Sequence, residues 1–154
     1  PLYAADQFRT SDHDPVIIGL KLGEAINIIE GTPAKNTLTG SAGKDRITGF
    51  VGADILTGGL NADEFVYATT GDGIDTIIDF TLGEDKIILT ALMQSLGYQG
   101  ADPLADGMIK FTPFGNNTVV YIDADGAGPA VQRALTIVNN VTALSLNNAA
   151  NFIF

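Results

Sequence analysis

The sequence predicts an all-β protein built from many short strands and turns. Its 154 residues include 18 glycines and 6 prolines, which interrupt long helices and favour tight turns. The apolar content of 45% is enough to build the core of one ordinary domain. Cysteine is absent, so disulfides and thiolate metal sites are excluded, and the chain must be stabilised by packing or by cations bound through oxygen.

The charge of the chain limits its partners. The formal net charge is −10, and the 8 Lys and Arg residues are scattered along the sequence. Because phosphate binding requires clustered basic residues, we expect that this chain alone binds no nucleic acid, and a cationic partner fits better. No apolar run reaches the length of about 18 residues that a membrane span needs, so membrane insertion is not expected. We expect a monomer.

A nine-residue repeat dominates the first half of the chain. Its units are "GTPAKNTLT" from Gly31, "GSAGKDRIT" from Gly40, "GFVGADILT" from Gly49, "GGLNADEFV" from Gly58 and a decayed "YATTGDGID" from Tyr67. The sixth position carries a polar oxygen, as Asn36, Asp45, Asp54, Asp63 and Asp72. The eighth is apolar, as Leu38, Ile47, Leu56, Phe65 and Ile74. This period suits a six-residue turn and a three-residue strand whose middle side chain points inward, stacked into a solenoid.

These units resemble the RTX family, whose repeat G-G-x-G-x-D-x-U-x winds a parallel β-roll with calcium between successive turns. Two units make one coil in that family, so the resemblance implies that Asn36, Asp54 and Asp72 stack on one edge, and Asp45 and Asp63 on the other. It also implies several Ca²⁺ ions, held by carboxylates and by turn carbonyls that glycines allow to approach. The implied metal-site residues are Asn36, Gly40, Gly43, Asp45, Gly49, Gly52, Asp54, Gly58, Asn61, Asp63, Asp72, Asp75 and Asp79.

The second position of the repeat departs from the family pattern. Only Gly59 is a glycine there, and the other units have Thr32, Ser41 and Phe50. Gly and Asp also mark turns in proteins that bind no metal, which is the alternative for any single copy. Three adjacent copies in phase, each with its apolar eighth residue, favour calcium instead.

The segment "GDGIDTIIDFTLGEDKIILT", from Gly71 to Thr90, is very similar to the segment that follows the last repeat in the RTX family. The resemblance implies Asp79 as a ligand of the last calcium site and Asp75 as a further candidate, whereas Asp85 is interpreted as stabilising the turn after Gly83. From residue 36 to residue 85, nine acidic residues face two basic ones, a net charge of −7. This self-repulsion predicts that folding is coupled to calcium binding.

The C-terminal part predicts a β cap with one short helix. The helix is "LTALMQSLG", with Thr90 as N-cap and Gly97 as the stop. Strands of an antiparallel subdomain follow in "GMIKFTPF", "NNTVVYIDADGAG", "RALTIVNNV" and "NFIF". The "DADG" at Asp123 is interpreted as a hairpin turn rather than a further calcium loop. From Gly31 to Phe154 the chain resembles the C-terminal target domain of type I secretion substrates, which implies a type I transporter as partner and an extracellular location outside a Gram-negative-type bacterium.

The N-terminal stretch "FRTSDHDPVIIGLKL" contains a second resemblance. Its "SDHDPV" is similar to the last motif of the endonuclease/exonuclease/phosphatase superfamily. That implies His13 at a scissile phosphate, Asp12 on a catalytic Mg²⁺ or similar divalent ion, and Asp14 steadying the loop. The upstream Glu, Asn and Asp of that superfamily have no room before residue 1, so we expect the motif to be inactive in this chain.

These observations predict four regions: a nuclease-like remnant strand at 1–22, a linker at 23–30, an RTX β-roll at 31–89 and a type I secretion cap at 90–154. The predicted function is calcium-driven extracellular folding and secretion of a bacterial nuclease or phosphodiesterase, without catalysis by this chain alone. Two alternatives remain: part of an active metal-dependent phosphoesterase completed by another chain, and an adhesive surface module that calcium makes rigid.

Overall fold

The computed structural model describes residues 25–126 and 131–154. Seven short strands come first: β1 (Asn27–Glu30), β2 (Thr37–Thr39), β3 (Asp45–Thr48), β4 (Ile55–Thr57), β5 (Glu64–Val66), β6 (Asp75–Ile77) and β7 (Lys86–Ile88). They are followed by α1 (Thr90–Ser95), β8 (Ile109–Phe114), β9 (Asn117–Ile122), β10 (Arg133–Val138), α2 (Ala143–Leu146), a 3-10 helix (Ala149–Asn151) and β11 (Phe152–Ile153). The predicted all-β class is confirmed.

Consecutive strands of the repeat region alternate between two sheets. One sheet has the order β1-β3-β5-β7-β11, and its neighbours are all parallel. The other has the order β2-β4-β6-β10-β9-β8, with β2, β4, β6 and β10 parallel. Each pair of nine-residue units therefore makes one coil, which is the predicted parallel β-roll.

The core lies between the two sheets. A three-residue strand points its middle side chain to one face, and in the repeats that residue is the apolar eighth position. Ile47 and Phe65 are 0% exposed and Leu56 is 1% exposed, so the predicted inward orientation is confirmed for them. Complete burial of such a side chain contributes roughly 2 kcal/mol, which explains how strands this short persist.

The period of nine ends after the fourth unit. In the register of the second sheet, Ile55 pairs with Thr76, so the next coil is 21 residues long instead of 18. The predicted inward position of Ile74 is wrong: its side chain is 48% exposed, and Ile77 occupies the core at 0%. The physical reason is a turn three residues longer than the others, which moves the strand forward.

The predicted linker, residues 23–30, overlaps the first strand of the roll. In β1, Asn27 pairs with Asp45 and Glu30 with Thr48 in parallel register. The roll therefore starts before Gly31. The predicted remnant strand at 1–22 lies outside the described residues.

The C-terminal strands extend both sheets of the roll. As predicted, β8, β9 and β10 are antiparallel to one another. The prediction of an antiparallel arrangement is wrong for β11, which lies parallel to β7 with Phe152 opposite Ile87. This pairing buries Phe152, which packs against Phe111 at a ring distance of 5.8 Å. The cap and the roll thus share their sheets and their core.

Within the described residues, two α-helices are present where one helix was predicted. In α1 the N-cap is Leu89 rather than the predicted Thr90, and no side chain caps it. Gly97 follows the helix with φ of 68°, as expected of its stop. The unpredicted α2 has Thr142 as its N-cap, whose hydroxyl accepts from the Ser145 N–H at 3.2 Å. Over the described ranges, no helix has the length and apolarity to cross a membrane.

At Gly73 the backbone lies directly against the backbone of the preceding coil. This glycine has φ of 91°, and a β-carbon there would collide with the Gly52 carbonyl oxygen. Gly73→Ala is expected to lower the free energy of unfolding by about 3 kcal/mol or more, because the coils would have to separate. Gly83→Ala is the matched control, since φ is 82° but nothing lies within 4 Å, and we expect a loss of about 1 kcal/mol. Urea titrations in saturating calcium measure both, and equal losses would contradict the prediction.

Candidate metal centre

Aspartates in the turns are linked from coil to coil by hydrogen bonds, in two ladders. Along the sheet that contains β3, β5 and β7, the Asp45 N–H donates to Asp63 Oδ1 at 2.9 Å, and the Asp63 N–H donates to Asp85 Oδ1 at 2.9 Å. The side chain of Asn27 starts this ladder by donating to Asp45 Oδ1 at 2.7 Å. The predicted stacking of Asp45 and Asp63 on one edge is thus present in the structure.

The second ladder runs along β2, β4 and β6. The Asn36 N–H donates to Asp54 Oδ1 at 2.7 Å, and the Asp54 N–H donates to Asp75 Oδ1 at 2.9 Å. The predicted stacking of Asp72 on Asp54 is wrong, because the longer turn places Asp75 at that step. Asp72 instead accepts from the Ala68 N–H at 2.8 Å within its own turn.

In the repeat region, three buried carboxylate oxygens have no hydrogen-bond partner within the described part of the chain. They are Oδ2 of Asp54, Asp63 and Asp75, each in a side chain that is 1% exposed. A β-carbon built on Gly49 would touch Asp54 Oδ2 and lie 3.2 Å from Asp75 Oδ2, so these two oxygens face the same space. An unpaired buried carboxylate is costly, and two that face the same space are stabilised by a bound cation or by a proton.

The glycines predicted for the site keep the space beside these carboxylates open. A β-carbon on Gly58 would touch Asp63 Oδ2, and one on Gly40 would collide with the Gly58 carbonyl oxygen. One on Gly52 would lie 2.7 Å from Asp54 Oδ1. Gly43 differs, because its β-carbon would meet only the Ser41 hydroxyl at 3.5 Å. At these glycines, backbone carbonyls and carboxylates of neighbouring coils therefore approach each other closely.

Asn61 and Asn36 contact their turns in different ways. Asn61 has φ of 71°, and its side chain donates to the Ala42 carbonyl at 2.5 Å in the preceding coil. Asn36 Oδ1 accepts from the Thr32 N–H at 2.6 Å. Both side chains therefore already have protein partners.

The donor set fits calcium. Across residues 25–126 and 131–154, no three His, Cys, Asp or Glu side chains meet as a metal-binding group, so side chains alone would not complete a site. Calcium takes six to eight oxygens and accepts carbonyls beside carboxylates. The pair formed by Asp54 and Asp75, together with turn carbonyls, supplies donors of that kind, and Asp63 supplies a further free oxygen.

Asp79 and Asp85 lie at the end of the first ladder. Asp79 accepts from the N–H groups of Gly58 at 2.8 Å and Gly59 at 2.9 Å, so it reaches across to the turn that carries Asp63. Asp85 accepts from the Thr81 N–H at 2.8 Å, as the turn interpretation expects. It also stands at the ladder step after Asp63, a position that the nine-residue period does not indicate because this coil is 22 residues long.

Tyr67 and Thr136 lie behind Asp75, and the sequence did not indicate either as part of the site. The Thr136 hydroxyl donates to the Asp75 carbonyl at 3.3 Å, and the two residues pair across β10 and β6. Tyr67 is 1% exposed, and its hydroxyl lies beside the side chains of Asp75 and Thr136, outside ordinary hydrogen-bond geometry. Burial raises the pKa of Tyr67 well above its usual value, and the charge of Asp75 acts in the same direction. The Asp75 site thus adjoins β10, the strand of the cap that pairs with β6.

The surroundings of Asp75 and Asp63 oppose their ionisation in the absence of a cation. Burial raises the pKa of Asp75 to about 7, and the charge of Asp54 contributes to this rise. Burial also raises the pKa of Asp63 to about 6, with contributions from the charges of Asp85 and Asp45. At neutral pH these carboxylates are therefore held in an environment that favours a bound cation or a proton.

A pH dependence follows from these two pKa values. Both are raised above the reference value of 3.8, so the stability they give the calcium-free fold is complete below about pH 4 and is lost as pH rises through 6 and 7. Calcium requires the ionised carboxylates, so its stabilising effect should grow over the same range. Thermal midpoints with calcium and with EGTA, measured from pH 5 to pH 8, should diverge as pH rises. A constant difference across that range would contradict this prediction.

Two further stretches were considered in the sequence analysis, the N-terminal "SDHDPV" and the "DADG" at Asp123. His13 and Asp12, the predicted catalytic pair, lie outside the described residues. Asp123 lies in the turn after β9, where its Oδ2 is 2.5 Å from the Lys110 ammonium, which also donates to the Gly126 carbonyl at 2.9 Å. "DADG" thus lies in a turn after β9, and its Asp123 is ion-paired with Lys110.

Comparison with known proteins bears on the repeats. A family model described as the RTX calcium-binding nonapeptide repeat, in four copies, matches residues 30–65. No curated protein matches the chain. Among solved structures, the AlgE6R2 subunit of the Azotobacter vinelandii mannuronan C5-epimerase is 22% identical, with 83% of this chain and 92% of that chain covered and a TM-score of 0.41. The AlgE6R3 subunit of that enzyme is 23% identical, with coverage of 92% and 86% and a TM-score of 0.35. The chain therefore contains a calcium-binding RTX repeat module of the hemolysin type at residues 30–65.

Proposed function

We propose that this chain is the calcium-dependent folding and export module of a secreted bacterial nuclease or phosphodiesterase. The observation that carries the proposal is the set of buried, unpartnered carboxylate oxygens of Asp54, Asp63 and Asp75 within the repeat region. When ionised, these buried oxygens destabilise the fold unless a cation compensates their charge.

Calcium supplies the positive charge that the protein itself lacks at these positions. The only basic side chains between residues 36 and 85 are Lys44 and Arg46, and both are engaged with Glu64, Lys44 at 2.8 Å and Arg46 at 2.5 Å. Neither is paired with a ladder aspartate. Each buried charge without compensation costs roughly several kcal/mol, so the calcium-free roll is expected to be unstable.

Export fits this dependence on calcium. A roll that is unfolded where calcium is scarce can be threaded through a transporter, and it folds where calcium is abundant outside the cell. The type I transporter is the partner proposed for the C-terminal region, on the resemblance of residues 31–154 to secretion target domains. The proposed location of the folded protein is extracellular.

The nuclease part of the proposal rests on "SDHDPV" in the N-terminal region. His13 and Asp12 would belong to a catalytic domain that uses Mg²⁺ or a similar ion. Such a site needs further upstream carboxylates and an asparagine on a scaffold that these few residues do not provide.

The isolated chain is therefore expected to have no hydrolytic activity. DNA, RNA and a chromogenic phosphodiester should remain intact in its presence, with either magnesium or calcium, because two residues of the motif cannot assemble a metal centre. The His13→Ala variant is the control, and it should be indistinguishable from the unmodified chain. Turnover that is reproducible and disappears in His13→Ala would refute the remnant assignment.

A further inference from the structure

The aspartates of the turns differ in what their second carboxylate oxygen contacts. In the second unit, Asp45 Oδ2 accepts from the Ser41 N–H at 2.7 Å and from the Ser41 hydroxyl at 3.0 Å. We call an aspartate bound in this way by its own turn capped. Over the described residues, Oδ2 of Asp54 and of Asp63 has no such partner, and we call these aspartates open. The four units that match one repeat model are therefore not equivalent.

The second residue of the unit distinguishes open from capped turns. In the two open units this residue is Phe50, with φ of 64°, and Gly59, with φ of 104°. Ser41, in the capped unit, is not among the described residues with positive φ. In the fourth unit the N–H of this second residue, Gly59, does not cap Asp63 and instead donates to Asp79 Oδ2 at 2.9 Å.

Phe50 is strained, and packing does not account for the strain. A bulky residue with positive φ is an outlier, and such conformations cost about 1–2 kcal/mol. The Phe50 side chain is 38% exposed, so it is not held by burial in the core. Strain of this kind persists where a site requires the conformation, and the open carboxylate of Asp54 lies in the same turn.

Asp75 is open for a different reason. Its turn is longer and contains a second acid, Asp72, which accepts from the N–H groups of Ala68 at 2.8 Å and Thr69 at 3.0 Å. Asp72 thereby caps the turn, which leaves Asp75 Oδ2 without a partner in the described structure. In the second unit, Asp45 alone accepts from its own turn and from the neighbouring coil. Here Asp72 accepts from the turn, and Asp75 accepts from the neighbouring coil.

We propose that the second residue of each unit determines whether the turn holds an ion: a left-handed residue opens the aspartate to calcium, whereas any other lets the turn cap it. Asp54 with Asp75, and Asp63, then hold ions, and Asp45 and Asp72 are structural caps. The inference rests on calcium binding by the repeats and adds which turns carry it.

Isosteric Asp→Asn variants test the assignment. Calcium ions per chain would be counted by isothermal titration calorimetry and by mass spectrometry under native conditions, with hydrogen exchange to verify that the roll is folded. Asp45→Asn should bind as many ions as the unmodified chain, because an amide oxygen can still accept from the Ser41 N–H. Asp54→Asn should bind one ion fewer. Loss of an ion in both variants, or in neither, would overturn the assignment.

Phe50 variants test whether the conformation of the second residue controls calcium binding. Phe50→Gly removes the ring and permits positive φ, whereas Phe50→Val removes the ring and disfavours it. We expect Phe50→Gly to keep or raise the calcium affinity, and Phe50→Val to lower it by about tenfold or more. Equal affinities of the two variants would refute the role of the second residue. Absence of calcium binding by the unmodified chain would instead refute the proposed function, so the two failures are distinguishable.

Discussion

Removal of calcium with excess EGTA at pH 7.5 is expected to unfold the repeat region. The far-ultraviolet circular dichroism signal of the sheets should be lost, and the thermal midpoint should fall. The reason is the unpartnered buried carboxylates of Asp54, Asp63 and Asp75. One site filled at a hundred times its dissociation constant contributes about 2.7 kcal/mol, which is a large share of the 5–15 kcal/mol that stabilises a typical domain.

Magnesium and two variants make this test specific. Magnesium should restore the fold poorly, because it demands a small octahedral site and releases its waters reluctantly. Asp54→Ala should lower the stability in calcium by about 3 kcal/mol, since it removes a ligand from a buried pair. Asp123→Ala, the control, removes a buried carboxylate that is ion-paired with the Lys110 ammonium outside the repeats, and it should cost less than Asp54→Ala. Unchanged circular dichroism and midpoint after exhaustive EGTA treatment would contradict the prediction.

Export should fail in two different ways when the two ends of the module are altered. A reporter fused before residue 23 would be followed in a host that carries a type I exporter, with millimolar calcium outside. Deletion of the terminal "NFIF" should leave the reporter inside the cells, because the transporter would not recognise it. Replacement of Asp45, Asp54 and Asp63 together should still permit export, since an unfolded chain is what passes through. The exported product should then fold slowly and remain sensitive to protease.

The partition of the reporter between cells and medium separates these outcomes. Equal secretion with and without the last four residues would reject the signal assignment. Protease resistance that is unaffected by the triple replacement would reject the calcium switch. A conservative double substitution of the exposed surface, Leu144→Ala with Val131→Ala, serves as the control and should alter neither readout.

The regular part of the roll could be predicted from the sequence, and its irregular end could not. A strict period of nine places Ile47, Leu56 and Phe65 in the core and Asp45 above Asp63, because each unit repeats the same backbone path. After Phe65 the coils grow to 21 and 22 residues. Extrapolation of the period then selects the wrong residues, both in the core and in the second ladder.

The candidate site, too, could be predicted only in part. The sequence indicated the aspartates, but apart from the glycine at Gly59 it does not distinguish capped from open carboxylates, because that depends on backbone φ at the second residue. Phe50 is the clearest case, since its residue type argues against the conformation that it adopts. The pairing of β11 with β7 was also beyond prediction, because two residues in parallel register carry no local signal.

The parallel closure of both sheets by the C-terminal strands has a kinetic consequence. Thr136 pairs with Asp75 across 61 residues, and Ile153 pairs with Ile88 across a similar distance. Contacts this far apart in sequence form late and slowly, because a long loop must close first. On the ribosome, β11 follows β7 by roughly 3–13 s at ordinary rates of synthesis, so the nascent chain has no complete last coil during that interval. Sequence order alone therefore delays folding during translation, independently of any ion.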